Sequence, residues 1–285
     1  MGNGAIYAML GLGLVVIYRS TGLLNFAQGE ITMFATFIVW QVWDLWASPL
    51  PLAVLIGAAA AFLIGVITQW VVIQPFGDPH QKPLTLVIVT IGLYLGFNAL
   101  AQLIWGTESR PFPALFGRGS VQVFGVAVAW QKLGALGVLV VEAGILWLIF
   151  QRTKLGLAMR AVASNSESSA LVGVPVNRIL MTGWGVAAAL GAVAGSFTAS
   201  SRFGVDSSLM LLTIVYAFAA ITLGGFDSLP GAVVGGLLVG VVSEVVPRYV
   251  SFMSKMPLMP AFILIMAVLL LRPEGLLGTK KVSRV

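Results

Sequence analysis

Residues 51–73 read Pro51-Leu52-Ala53-Val54-Leu55-Ile56-Gly57-Ala58-Ala59-Ala60-Ala61-Phe62-Leu63-Ile64-Gly65-Val66-Ile67-Thr68-Gln69-Trp70-Val71-Val72-Ile73, without one charged side chain. A helix rises about 1.5 Å per residue, so roughly 20 apolar residues cross a hydrocarbon core of about 30 Å. This stretch is therefore long enough to span a membrane. Further apolar stretches stand at 4–18, 31–47, 84–105, 133–150, 179–200, 209–224, 231–247 and 258–271. Only 9% of the chain is charged, against roughly 25% in an ordinary soluble domain, and the mean hydropathy is +1.00. Too few charges remain to cover a water-facing surface. The expected fold is an all-α, polytopic membrane protein with eight or nine transmembrane helices, in one transmembrane domain over residues 1–285.

The stretch at 4–18 is too short to cross alone. Between it and the next lies Arg19-Ser20-Thr21-Gly22-Leu23-Leu24-Asn25-Phe26-Ala27-Gln28-Gly29-Glu30, too apolar for a fully solvated loop. A broken or re-entrant element is expected near residues 19–30, which requires interior partners for its backbone groups. No Lys or Arg precedes Arg19, so a cleavable signal peptide is not expected.

Basic residues orient the chain. With loop 151–178 and the C-terminal tail in the cytoplasm, the inner connections hold Arg19, Lys82, Arg152, Lys154, Arg160, Arg178, Arg272, Lys280, Lys281 and Arg284. The outer ones hold Arg110, Arg118, Lys132, Arg202, Arg248 and Lys255. The excess inside favours this arrangement, with the N-terminus outside if there are nine spans and inside if there are eight. The outer connection at 106–132 contains Val121–Val128, a β-branched run around Gly125 that suggests a small hairpin.

Several chemistries are excluded. There is no Cys, hence no disulfide, thiolate metal site or cysteine nucleophile. The single histidine, His80, lies in a loop at 77–82 and reads as a solvated residue, so no metal site is expected. Ser196 follows Gly195 but has no base within reach in sequence, which argues against a serine nucleophile. The net charge of +6 sits in short loops as a topology signal and a contact for lipid headgroups, with no basic stripe for nucleic acid. Glu142 stands in an otherwise apolar span, either as a functional acid or as a neutral side chain facing another helix. The spacings Gly92/Gly96, Gly191/Gly195, Gly231/Gly235 and Gly236/Gly240 fit close helix crossings, within the chain or against a second subunit.

The segment from Gln151 to Gly173 alternates basic residues with small and apolar ones. Its part Ala163-Ser164-Asn165-Ser166-Glu167-Ser168-Ser169-Ala170-Leu171-Val172-Gly173 reads as a short polar-capped helix stopped by Gly173 and Pro175. Such a helix could lie on the headgroups or dock on a cytoplasmic partner. Arg152-Thr153-Lys154-Leu155-Gly156-Leu157-Ala158-Met159-Arg160-Ala161 resembles the R-T-(K/R)-x-G-x-A-x-R-A loop of branched-chain (hydrophobic) amino acid ABC transporter permeases. Asn25-Phe26-Ala27-Gln28-Gly29-Glu30 is similar to their N-F-(A/S)-(H/Q)-G-(E/D) signature. Gly224-Gly225-Phe226-Asp227-Ser228-Leu229-Pro230-Gly231-Ala232 resembles their glycine turn, with Asp227 where Gly is commoner. Arg272-Pro273-Glu274-Gly275-Leu276-Leu277-Gly278 is similar to their terminal motif.

The resemblance implies the transmembrane permease subunit of a binding-protein-dependent ABC importer in a bacterial or archaeal cell membrane. It would move hydrophobic amino acids or small solutes such as amides, urea and organic acids. It implies a second permease subunit, related or identical, two cytoplasmic ATPase subunits that bind ATP and Mg, and an extracytoplasmic solute-binding protein. The chain itself would hold no cofactor and catalyse no reaction; it has no G-x-x-x-x-G-K-[ST]. Asn25, Phe26, Gln28 and Glu30 are the candidate substrate path. Arg160, Ala163, Asn165, Glu167, Ala170, Leu171 and Gly173 are the candidate ATPase coupling residues. An ATP-independent secondary transporter or channel is the alternative. It would have no need for a partner-shaped inner loop and would more often carry paired intramembrane charges. A structural scaffold leaves residues 19–30 unexplained.

Overall fold

The computed structural model describes residues 2–77, 83–123, 125–250 and 252–278. His80, Lys82, Lys280, Lys281 and Arg284 lie outside them. The chain is helical throughout its apolar stretches: α1 (Gly2–Thr21), α2 (Gln28–Trp46), α3 (Leu50–Ile67), α4 (Pro83–Trp105), α5 (Trp130–Arg152), α6 (Lys154–Ser164), α7 (Ser166–Leu171), α8 (Val176–Arg202), α9 (Leu211–Gly224), α10 (Leu229–Tyr249) and α11 (Met259–Leu271). A π-helical turn, Thr68–Ile73, and a 3₁₀ turn continue α3. Six helices are long and apolar enough to cross a membrane, namely α1, α3 with its continuation, α4, α5, α8 and α10; α9 and α11 are shorter and apolar. It is an all-α, multi-pass membrane protein.

The first apolar stretch is longer than its sequence suggested. Arg19, Ser20 and Thr21 continue α1 rather than ending it, because the hydroxyls of Ser20 and Thr21 each donate to the Ile17 carbonyl at 2.9 Å. Polar groups satisfied within the helix do not interrupt it. With 20 residues, α1 is a full span.

Helix α1 is buried along almost its whole length, surrounded by α5, α8, α9 and α10. Helices α2 and α3 pack on α8, with α4 outside them. Leu84, Ile88, Leu95 and Leu103 of α4 face outward, as do Met266, Leu270 and Leu271 of α11, which suits a surface solvated by lipid rather than water.

The two ends of the bundle are distinct. At one, Asn3 Nδ2 of α1 donates to Glu244 Oε1 of α10 at 2.7 Å, and Leu115 N donates to Ser200 Oγ of α8 at 3.0 Å. Two short antiparallel pairs decorate this end: β1 (Arg110–Pro111) with β4 (Gly204–Val205), and β2 (Ser120–Val123) with β3 (Val126–Ala129). The second is the hairpin expected around Gly125, whose φ of +81° suits a tight turn. At the other end, the Arg19 guanidinium sits 5.1 Å from the Phe150 ring and donates to the Asp227 carbonyl at 2.5 Å. Helices α6 and α7 lie at this end.

Small residues set the crossings. A Cβ on Gly191 or Gly195 would collide with Thr32 or Thr36 of α2, and one on Gly236 or Gly240 with Ala8 or Gly4 of α1. Gly231 and Gly235 meet Gly224 and Ala220 of α9. Gly92 and Gly96 differ: nothing in the chain lies within 4 Å of their Cβ positions.

Candidate functional site

Gly22 ends α1 with φ +71°, its N–H donating to the Tyr18 carbonyl at 2.8 Å. The next residues turn back into the bundle. Ser20 lies against Gly183 of α8, whereas Gln28 lies against Ala187 and Gly191 further along the same helix. The chain has therefore climbed by about one to two helical turns before α2 begins. Thr32 and Thr36 then track Gly191 and Gly195, so α2 runs alongside α8 in the same direction from within the bundle. Residues 22–27 form the expected break, while 19–21 and 28–30 belong to the flanking helices.

Inside the break, Asn25 Oδ1 accepts from Ala27 N at 3.0 Å, an Asx turn that replaces helix hydrogen bonds with a side-chain one. Gln28 Nε2 donates to the Ala187 carbonyl at 2.9 Å, and Gln28 Oε1 stands 3.5 Å from Asn25 Nδ2. Asn25 and Gln28 are both almost wholly buried. Glycines at 13 and 191 make the space, since a Cβ at either would stand 3.2 Å from Gln28 Nε2.

Glu30 is buried too, but in a different group. Its Oε2 accepts from Asn98 Nδ2 of α4 at 3.0 Å; Asn98 Nδ2 also donates to the Ser207 carbonyl at 3.1 Å, and Gln102 Nε2 donates to Asn98 Oδ1 at 2.6 Å. This network ties α2, α4 and the 203–210 connection together. Sequence reasoning passed over Asn98 and Gln102. Two amides one turn apart in an apolar helix were the available signal. Phe26 points elsewhere, half-exposed, with its ring 5.7 Å from that of Phe218 on α9. The structure thus joins Asn25 with Gln28 and separates both from Glu30 and Phe26.

The segment after α5 forms two helices rather than one. Thr153 Oγ1 caps α6 by accepting from Gly156 N at 3.2 Å, and Asn165 Oδ1 caps α7 by accepting from Ser168 N at 2.8 Å. Asn165 is extended (φ −160°, ψ +106°), because its side chain bonds the next helix's first turn in preference to continuing α6. Met159 and Val162 bury one face of α6 in the core. Arg160, Asn165, Glu167, Ala170, Leu171 and Gly173 are exposed, and Ala163 is half-buried. Leu171 is 85% and Val172 80% exposed, and Gly173 turns the chain with φ +86°. An apolar tip is thus held outward on a doubly capped, core-anchored support.

Residues 1–271 match the family described as the permease component of branched-chain amino acid transport systems. The chain belongs to this family. It is 30% identical to the high-affinity branched-chain amino acid transport system permease protein BraD of Pseudomonas aeruginosa, over 99% of this chain and 94% of the relative. The corresponding LivH of Salmonella typhimurium is 26% identical over 99% of this chain and 94% of its own length. A probable LivH of Methanocaldococcus jannaschii is 24% identical over 98% and 91%. No solved structure matches.

The permease motifs at 224–232 and 272–278 meet in space. Leu276 N and Leu277 N donate to the carbonyls of Leu223 and Gly224 at 2.8 and 2.9 Å, seating the terminal motif on the end of α9. Gly225 (φ +108°) would clash with Gly278 if it carried a Cβ. Asp227 needs no glycine, as its φ is not positive, and its carbonyl accepts from Arg19. This corner joins the end of α1, α9 and α10 next to Phe150 at the start of the α6–α7 segment.

Proposed function

We propose that this chain is one transmembrane half of a binding-protein-dependent ABC importer. It carries branched-chain or other hydrophobic amino acids, or related small solutes such as amides, urea and organic acids, inward. One observation carries the reading: the exposed Leu171–Val172 tip on capped α7, whose support α6 is packed into the core through Met159 and Val162. A helix resting on headgroups would have no need of this rigid mounting. A helix transmitting motion from a cytoplasmic ATPase would.

In this reading residues 1–285 are a single permease domain in a bacterial or archaeal cell membrane, paired with a related or identical second permease subunit. The α6–α7 end and residues 272–278 face the cytoplasm, where two ATPase subunits bind ATP and Mg. The end bearing the hairpin receives an extracytoplasmic binding protein on residues 106–132. Counting α2, α9 and α11, nine segments alternate in direction, with the start of α1 outside. The permease catalyses no reaction. Nucleotide-driven closure pushes Arg160, Ala163, Asn165, Glu167, Ala170, Leu171 and Gly173, and the push reaches α1 through the Arg19–Phe150–Asp227 corner. Substrate passes the break in the chain, where Asn25 and Gln28 offer amides and Phe26 and Glu30 flank them, as broken helices do in other transporters.

The test is recovery of partners through a tag on this chain, followed by mass spectrometry, for wild type and Leu171→Glu. An ATPase present with wild type and lost with the variant is the expected result. A transport-competent chain that brings down no ATPase would overturn the proposal in favour of an ATP-independent transporter.

A further inference from the structure

Two adjoining cavities of about 360 and 370 Å³ open at the hairpin end of the bundle, sharing Asn3, Ile6 and Ser201 as walls. Each falls within the roughly 300–1,000 Å³ of small-molecule sites. The space beside Thr21, Asn25 and Trp184, at about 20 Å³, holds about one water. Among the cavities bordered by described residues, these two have room for a solute, while the Asn25 and Gln28 amides are engaged with each other and with the Ala187 carbonyl.

Both cavities are mostly apolar, and they differ in whether their cations are already paired. The first is lined by Lys132, Arg118 and Gln131. Neither cation is in an ion pair among the described residues; Arg118 lies 5.7 Å over the Phe203 ring, another wall of the same cavity. Gln131 Oε1 accepts from Phe116 N at 3.2 Å, which leaves its buried Nε2 without an acceptor. Lys132 and Arg118 are thus exposed cations beside a volume that offers them no anion, whereas the Gln131 amide nitrogen is sealed from it. The second cavity is walled by Ile6, Leu209 and Leu212 together with Tyr7, Thr198 and Thr213, and its Arg202 is already occupied by Asp206 at 3.9 Å and by the Leu209 carbonyl at 3.2 Å.

We infer that the two cavities are one receiving site for a solute with a free carboxylate and a branched apolar side chain. Lys132 and Arg118 hold the carboxylate, and Ile6, Leu209 and Leu212 take the side chain. Guanidinium and ammonium donors suit a carboxylate's oxygens, and the unpaired charges draw the anion from solution. The site rests on the importer reading and gives it a first stop before the Asn25–Gln28 element.

The experiment uses the complex purified through a tag on this chain, with radiolabelled leucine as probe. Leucinamide, which lacks the carboxylate, and 4-methylpentanoate, which lacks the amine, serve as competitors. The acid is expected to displace leucine and the amide to fail. Arg118→Gln with Lys132→Gln should weaken leucine binding at least tenfold, and Lys132→Arg should retain it. Leu212→Trp, which narrows the cavity at a half-exposed position, should also weaken it, so the result does not depend on the double variant folding. Competition by leucinamide equal to that by the acid would overturn the site, as would unchanged binding in the double variant. Binding retained with uptake lost would also overturn it, assigning the cations to the docking of a protein partner. Wild type that recovers no ATPase yet binds leucine in this pattern would refute the importer reading and leave the site standing.

Discussion

The side-chain amide of Gln28, the first residue of α2, donates to the carbonyl of Ala187 in the middle of α8 at 2.9 Å. That bond holds the start of α2 inside the bundle instead of at its edge. Asn25 and Ala27 of the 22–27 loop are therefore buried in protein, which is where irregular backbone is tolerated in a membrane.

Replacing Gln28 by Leu removes this donor and the partner of Asn25 together. Losing a buried hydrogen bond costs about 1–3 kcal/mol, so thermal unfolding in detergent is expected several degrees lower. Uptake should fall further than the loss of folded protein explains. An unfolding midpoint equal to wild type would show that the bond does not anchor the break.

The glycine pairs predict opposite outcomes. Gly195→Ala would drive a methyl into Thr36, and overpacking of this kind costs about 1–3 kcal/mol. Gly92→Ala meets open space and gains up to about 1 kcal/mol of helix propensity. Denaturant titration of the purified chain separates the two. If Gly92→Ala instead breaks the assembled transporter while sparing the isolated chain, α4 carries a subunit contact.

Asn165→Ala removes the cap of α7, for which about 0.5–2 kcal/mol is usual. A six-residue helix has little else to hold it. Recovery of an ATPase through the tagged chain should drop several-fold while the unfolding midpoint moves little. Asn165→Asp, which also accepts from the Ser168 N–H, should restore recovery.

Glu142 lies on the stripe of α5 with Ala135, Leu139, Leu146 and Phe150, buried, with neither carboxylate oxygen hydrogen-bonded. An acid in that position gains nothing from its polarity, so Glu142→Met is expected to be neutral or stabilising by about 1–2 kcal/mol, with uptake intact. Uptake abolished in a more stable protein would make the carboxyl functional.

How much of this was legible beforehand varies by element. The run at 51–73, the hairpin around Gly125 and the stop at Gly173 are readable because each depends on local chemistry: apolar length, β-branching and positive φ. The extension of α1 through Arg19–Thr21 was not, because polarity alone does not say that Ser20 and Thr21 bond back to Ile17. The split of α6 from α7 at Asn165 escaped for a similar reason, since an Asn can cap a helix or ride within one.

By itself, then, the sequence determined that this is a helical membrane protein of the permease family, with a break after α1 and a capped loop before α8. Lipid demands long apolar helices, and local motifs mark where they stop. Only the tertiary structure decided that Gln28 reaches Ala187, that Glu30 belongs with Asn98 rather than Asn25, and that Lys132 and Arg118 line one cavity. Such pairings join residues far apart in the chain, and they are settled by how closely glycine-lined helices approach, which no local pattern records.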